Sequence, residues 1–168
     1  MSISSGQTVE ERLQAIEDRL DIYQVIACYG YSVDGLNTDS VRDCYTEDGV
    51  YEIAGLGAYE GREKIANITK DPFHQALVGA GCAHASTLPY VVIDGDKAVA
   101  TCHTMVVTNG EDGFSVWRLS ASRINLSRQS GGGWKISHRQ VTLLDGNSSG
   151  PELLARLRQA PDDVQGLA

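Results

Sequence analysis

The stretch from Cys82 to Leu144 constrains the fold more than any other part of the chain. Divided at its breaks it reads "CAHASTLPYVVI", "DGD", "KAVATCHTMVV", "TNGEDG", "FSVWRLSASRINLS", "RQSGGG" and "WKISHRQVTLL". Four runs rich in β-branched and aromatic residues alternate with short Gly/Asp/Asn segments, the pattern of strands joined as hairpins. Turns this short permit only antiparallel neighbours, so this half is expected to be a meander. Pro89 has no N–H to give to a ladder, which puts its part of the first run at an edge or a bulge.

The first half follows a different period. "TVEE" places Thr8 at a helix cap with Glu11 three residues on, a capping box opening a polar helix to about Leu20. A second helix is expected over "DIYQVIACYGYSVDG", where Ile22, Val25, Ile26, Tyr29 and Val33 form a 3.6-residue stripe. "NTDSVRDCYTEDG" reads as a short capped helix and turn, and "VYEIAG" as a first short strand. "EGREKIANIT" reads as a third helix with Ile65 and Ile68 inward, and "PELLARLRQA" as a last one. Residues 1–7 and the tail are expected to be loose. Helices followed by one long antiparallel sheet make an α+β fold. Such a sheet twists and curls, and helices packed on its concave face leave a pit suited to a small ligand. The 168 residues are expected to form one domain, with a core over about 10–145 and a C-terminal helix and tail over 146–168.

Charge and cysteine usage narrow the function. The net charge is −8 with no Lys/Arg cluster, which argues against nucleic acid and anionic membranes as partners. "MSISSGQTVEERLQ" has no basic or apolar leader segment, and no apolar run approaches about 18 residues, so a soluble cytoplasmic protein is expected. Cys28, Cys44, Cys82 and Cys102 are widely spaced within apolar stretches and are expected as buried free thiols. No phosphate loop, serine-nucleophile elbow, zincin motif or dinucleotide fingerprint is present. No pair of residues has metal-ligand spacing such as H-x-H, so neither metal nor cofactor is expected.

The candidate site begins at Asp34 in "CYGYSVDGLN". It is either a turn residue ahead of Gly35 or a carboxylate placed for chemistry. It lies roughly 100° from the centre of the apolar stripe, on a face shared with Tyr23, Ala27 and Gly30. Gly30 costs about 1 kcal/mol in a helix interior and so wants a packing or access reason. His84 opens the first long strand among small neighbours, and a buried imidazole there needs a partner. A carboxylate reaching it from the helix would make an acid/base pair. His103 lies on either the inner or the outer face of its strand, while His74 and His138 sit near loops or turns and look like surface residues. Arg123 alternates with Trp117, Leu119 and Ala121 and must meet a carboxylate or a polar ligand. Tyr29, Tyr31 and Tyr51 are either phenolic donors to a carbonyl or core aromatics.

The order of elements resembles the SnoaL-like members of the nuclear transport factor 2-like superfamily. The matching pieces are "RLDIYQVIACYGYSVDGLNTDSVRDCYTEDGVYEIAG", "YEGREKI", "HASTLPYVVIDGDKAVA", "SRINLSR" and "GGWKISHR". Within that superfamily the chain is similar to the scytalone dehydratase branch, which includes bile-acid dehydratases and a lindane dehydrochlorinase. The resemblance implies a cone-shaped curved antiparallel sheet, a cystatin-like α+β barrel, and a cofactor-independent elimination using an Asp–His pair. It puts the catalytic aspartate on Asp34, the histidine on His84 and the bile-acid enzymes' tyrosine on Tyr29. Scytalone dehydratase has a tyrosine where this chain has Val33, and its first-strand tyrosine corresponds to Tyr51. Its second histidine falls near Asn109, and an arginine common in the third long strand falls on Arg123. It further implies a largely apolar cyclic, polyketide-like or steroid-like substrate, and a homo-oligomer built on the outer sheet face, a trimer before a dimer. An isomerase or cyclase in the same pocket, or a non-catalytic binding subunit, would share these features.

Overall fold

Residues 7–161 are described by the computed structural model. In chain order the elements are α1 (Val9–Asp34), α2 (Thr38–Asp43), β1 (Tyr45–Ile53), β2 (Gly57–Glu60), α3 (Arg62–Ala66), α4 (Pro72–Ala80), β3 (Cys82–Ser86), β4 (Tyr90–Asp94), β5 (Lys97–Gly110), β6 (Gly113–Arg128), β7 (Trp134–Leu143) and α5 (Ser149–Ala155). The ends expected to be loose fall almost wholly on residues 1–6 and 162–168, outside the described residues.

The capping box at Thr8 is present: its N–H donates to Glu11 at 2.8 Å, and its hydroxyl accepts from Glu11 N–H at 3.2 Å. The two expected helices are one continuous helix of 26 residues, because neither Gly nor Pro interrupts the chain around Leu20 and Asp21. Its far end closes in a Schellman arrangement. Asn37 N–H reaches Ser32 O at 2.8 Å, Leu36 N–H reaches Val33 O at 3.2 Å, and Leu36 takes the left-handed conformation at φ 52°. That closure makes Asp34 the last helical residue.

Along α1 the stripe of Ile22, Ile26, Tyr29 and Val33 is buried as its period requires. Nearer the start, Asp18 is buried too. Arg128 donates to it through two nitrogens, at 2.6 and 2.8 Å, and Trp134 Nε1 donates at 3.1 Å, tying α1 to β6 and β7. The Arg128 hydrogen bonds, opposed by burial, lower the Asp18 pKa to about 2. A folded value below the unfolded one means stability present at neutral pH and lost as the pH falls from about 4 towards 2, worth about 2 kcal/mol. Asp18→Asn is expected to remove that amount at neutral pH and flatten the acid limb, as read by urea melts at neutral pH and near pH 2.5. A mutant with unchanged melts at both pH values would show that Asp18 does not anchor the helix.

The sheet has seven strands in the order β2-β1-β7-β6-β5-β3, with β4 also on β5, and it is open at both ends. The meander is present over β5, β6 and β7. The first run divides as Pro89 requires: β3 and β4 both pair with β5, and their register shifts by one residue across Thr87–Pro89. The sheet is mixed rather than wholly antiparallel, since β1 pairs with β7 in parallel. The long connection between those strands lifts the constraint that a hairpin turn imposes. On the inner face, Ala98, Ala100, Ile124, Leu126 and Ile136 pack with the buried side of α1. The outer face, expected to be covered by another subunit, is partly covered by the chain itself: α5 packs on β6 and β7 and buries Leu153. No helix among the described residues is long and apolar enough to cross a membrane.

Candidate active site

Gly30 decides how closely the sheet approaches α1. A Cβ on this residue would lie 2.6 Å from the carbonyl oxygen of His84, so the backbone of β3 rests directly on the helix here. Only glycine allows that approach, and this is the packing reason its sequence position called for. One turn further on, the Asp34 carboxylate meets His84 twice. Oδ2 accepts the backbone N–H at 2.8 Å, and Oδ1 lies 2.6 Å from Nδ1. A carboxylate there accepts, so Nδ1 carries the proton and Nε2 keeps its lone pair when the ring is neutral. Burial raises the Asp34 pKa, but the side-chain and backbone hydrogen bonds from His84 outweigh it and hold the group below its ordinary value. The carboxylate is therefore ionised at neutral pH.

Cys82 Sγ lies 3.7 Å from Asp34 Oδ1. Asp34, Cys82 and His84 bring three potential metal donors within 4.8 Å of one another. Burial, reinforced by the Asp34 charge, pushes the Cys82 thiol up to about 11. A thiol so held donates its S–H to the carboxylate and is a poor thiolate ligand. This set suits a hydrogen-bonded acid/base pair better than a metal centre.

His84 lines a cavity of about 130 Å³ enclosed by α1, α4 and the inner sheet face. Ile26, Ile68, Leu77 and Met105 give it apolar walls, and Phe73 and Trp117, with rings 6.0 Å apart, also line it. Arg139 enters from β7. It is 6% exposed, and its guanidinium lies 4.6 Å from the Tyr29 ring and 4.9 Å from the Tyr51 ring. Its Nε is 3.4 Å from Ser122 Oγ, and among the described residues no carboxylate pairs with it. Tyr29 and Tyr51 meet edge to face at 5.6 Å. Burial, with the neighbouring tyrosines, raises the Tyr29 pKa well above its ordinary value, so it stays a neutral hydrogen-bond donor. One wall thus offers a basic lone pair, and another a buried cation with phenols.

Of the residues singled out in the sequence, Asp34, His84, Tyr29 and Tyr51 converge here. The others lie elsewhere. Tyr31 is 78% exposed on the far side of α1. His103 is also exposed, its N–H bound to Thr87 Oγ1 on the outer face. Arg123, paired in register with Thr101 on that same face, donates to the carbonyls of Arg156 and Ala160 and so holds the segment after α5. Asn109 is exposed, with its side chain 3.4 Å from Ala80 O at the end of α4. Cys28 is exposed and Cys82 only half-buried, contrary to the expectation of four buried thiols.

Sequence reasoning passed over Arg139 and misjudged two histidines. His138 is buried beside Glu52, at 3.1 Å. His74 is buried on α4, donates Nε2–H to Val33 O at 2.9 Å, and its ring lies 5.6 Å from that of His84, tilted by 44°. It thereby adds a second donor to a carbonyl at the end of α1 that already accepts from Leu36 N–H. The missed signal was Asp71–Pro72, a cap followed by proline at the first helical position.

The sequence model of a family described as SnoaL-like domain matches residues 14–140. Among solved structures, an NTF2-like protein with a cystatin-like fold from Novosphingobium aromaticivorans is 33% identical. That match covers 91% of this chain and 99% of the other, with a TM-score of 0.84. A protein of unknown function from Mycobacterium tuberculosis is 21% identical over 82% of this chain and 90% of its own, at a TM-score of 0.67. A hexachlorocyclohexane dehydrochlorinase from Novosphingobium barchaimii is 17% identical over 81% and 96%, at 0.66. These last two likenesses are of fold alone. No curated protein matches the chain.

Proposed function

Because the chain belongs to the SnoaL-like family of nuclear transport factor 2-like proteins, we propose that it is a cofactor-independent lyase of the dehydratase type. The observation that carries this reading is the Asp34–His84 pair at 2.6 Å, with His84 lining a cavity that Arg139 and Tyr29 also line. In the proposed reaction His84 Nε2 takes a proton from the carbon next to a carbonyl. Asp34 keeps the ring in the required tautomer and stabilises the imidazolium that forms. Tyr29, Tyr51 and the Arg139 charge stabilise the enolate oxygen, as preorganised donors do in a water-poor site. The enolate electrons expel the β-hydroxyl, which departs with the electron pair of the C–O bond and takes the proton back from His84 to leave as water. Return of the proton to another carbon would make the same site an isomerase.

The resemblance to the scytalone and bile-acid dehydratase branch supports this reading, as does a fold neighbour that is a dehydrochlorinase, an elimination enzyme by name. The apolar walls suit a largely apolar cyclic substrate. The test uses 3-hydroxy-1-tetralone, whose loss of water gives 1-naphthol, with hexachlorocyclohexane as a second probe read by chloride release. Catalysed turnover that slows on deuteration of the carbon next to the carbonyl, and is indifferent to a chelator, is expected. Proton exchange at that carbon without elimination would favour the isomerase. Absence of both exchange and elimination would leave the binding-subunit reading.

A further inference from the structure

His74 and His84 both line the cavity, and the proposed reaction uses only His84. His74, on α4, is 6% exposed, and its ring centre lies 5.6 Å from that of His84. Adjacent residues at the end of α1 fasten the two rings by opposite nitrogens. The Asp34 carboxylate takes His84 Nδ1–H at 2.6 Å, and the Val33 carbonyl takes His74 Nε2–H at 2.9 Å. A carbonyl oxygen only accepts, so when the His74 ring is neutral its lone pair is on Nδ1. Among the described residues nothing donates to that nitrogen, and it is not sealed from solvent. The cavity therefore meets two imidazole lone pairs, on Nε2 of His84 and on Nδ1 of His74.

The two lone pairs are suited to different tasks. His84 has a carboxylate behind its ring, the partner that a base for a carbon acid needs. His74 has a neutral carbonyl in that place, so what it offers is a fixed hydrogen-bond acceptor. A buried acceptor left without a donor is costly, and a ligand that brings one is favoured. The proposed elimination brings one. Its β-hydroxyl must come close enough to His84 to receive the returning proton. A nitrogen reaches an oxygen about 2.9 Å away, so one oxygen fits between rings whose centres are 5.6 Å apart. That oxygen then turns a lone pair to His84 and its hydrogen to His74.

We propose that His74 recognises the leaving hydroxyl, its Nδ1 accepting the O–H, and that the site thereby selects β-hydroxy ketones over their β-alkoxy and β-halo counterparts. The choice of group rests on the proposed elimination. In that step the hydroxyl oxygen takes the proton from His84 Nε2, and the C–O bond breaks with its electron pair on oxygen. The hydrogen facing His74 stays on the oxygen throughout, and water departs still donating to Nδ1. An alkoxyl group or a halogen has no hydrogen to donate. It sets its own lone pairs against that of Nδ1, and this mismatch rejects it.

Two measurements on the native protein test this. Imidazole nitrogen NMR in mildly alkaline solution should show His74 protonated on Nε2 and His84 on Nδ1. The second is the binding of 2-tetralol, which has the hydroxyl without the carbonyl and so cannot eliminate, beside its methyl ether. The alcohol should bind at least about tenfold tighter and should shift the His74 Nδ1 resonance, which the ether leaves in place. Two variants then separate recognition from a merely structural tie between α4 and α1. His74→Gln keeps an N–H near the Nε2 position, and His74→Asn keeps an oxygen near the Nδ1 position. The first should hold the native melting temperature and lose the preference for the alcohol, while the second should hold the preference. Both readouts on the native protein stand if a variant does not fold. His74 protonated on Nδ1, equal affinity for alcohol and ether, no affinity for either, or an undiminished preference in His74→Gln overturns the proposal. A preference that depends on His74, in a protein that does not dehydrate 3-hydroxy-1-tetralone, upholds the hydroxyl site and removes the elimination.

Discussion

Replacing His84 by alanine is expected to lower kcat/KM on 3-hydroxy-1-tetralone by about 10²–10⁴, the usual loss for a positioned acid/base. Asp34→Ala should cost nearly as much, because its carboxylate fixes the proton on Nδ1 at 2.6 Å and orients the lone pair of Nε2. The double mutant should be little worse than either single one, since residues acting as a unit are non-additive. The backbone bond from His84 N–H to Asp34 Oδ2, at 2.8 Å, survives in His84→Ala. That variant should therefore fold, and thermal melts beside the rate measurements will show whether it does. Near-normal rates in both single mutants, with intact melts, would remove the pair from the chemistry. The pH dependence carries its own sign. The folded pKa of Asp34 is lowered, so its ionised carboxylate adds stability above the unfolded carboxylate value. That stability is lost as the pH falls through the folded one.

Gly30→Ala should damage both the fold and the site. The new methyl would stand 2.6 Å from the His84 carbonyl oxygen, and that oxygen is backbone, so no side-chain rotation relieves the contact. The strand must move off the helix. Overpacking of this kind costs about 3 kcal/mol at the upper end of its usual range. A shift of β3 also carries His84 away from Asp34, and a small misplacement of a catalytic group costs about 10²-fold. Denaturant melts and turnover are expected to fall together. If Gly30→Ala kept full stability and full activity, the close approach of β3 to α1 would not be what sets the pair.

Much of this was legible in the chain itself. The capping box at Thr8, the buried stripe of α1, the strands of the meander and the break at Pro89 all rest on local periods of 3.6 and 2 or on proline's missing donor. Asp34 and His84 could be chosen as partners because an ionisable residue at a helix end and another opening a small-residue strand each need one. Two of the positions that went astray share one trait. Arg123 and His103 lie on strands whose two faces both carry apolar residues, so alternation separates the faces without saying which turns inward.

That choice belongs to the tertiary structure. The parallel pairing of β1 with β7 puts Tyr51 beside Arg139 in register and so builds the aromatic cage around the cation. Packing of α5 on β6 makes the Arg123 face the outer one. Docking of α4 against the end of α1 buries His74 next to His84. Each of these contacts joins segments far apart in the chain. The sequence by itself determined the cap and buried stripe of α1, the strands of the meander, and that a carboxylate and an imidazole stand at the ends of a helix and a strand. The tertiary structure alone decided which faces meet, because that depends on long-range register and on what covers each side of the sheet.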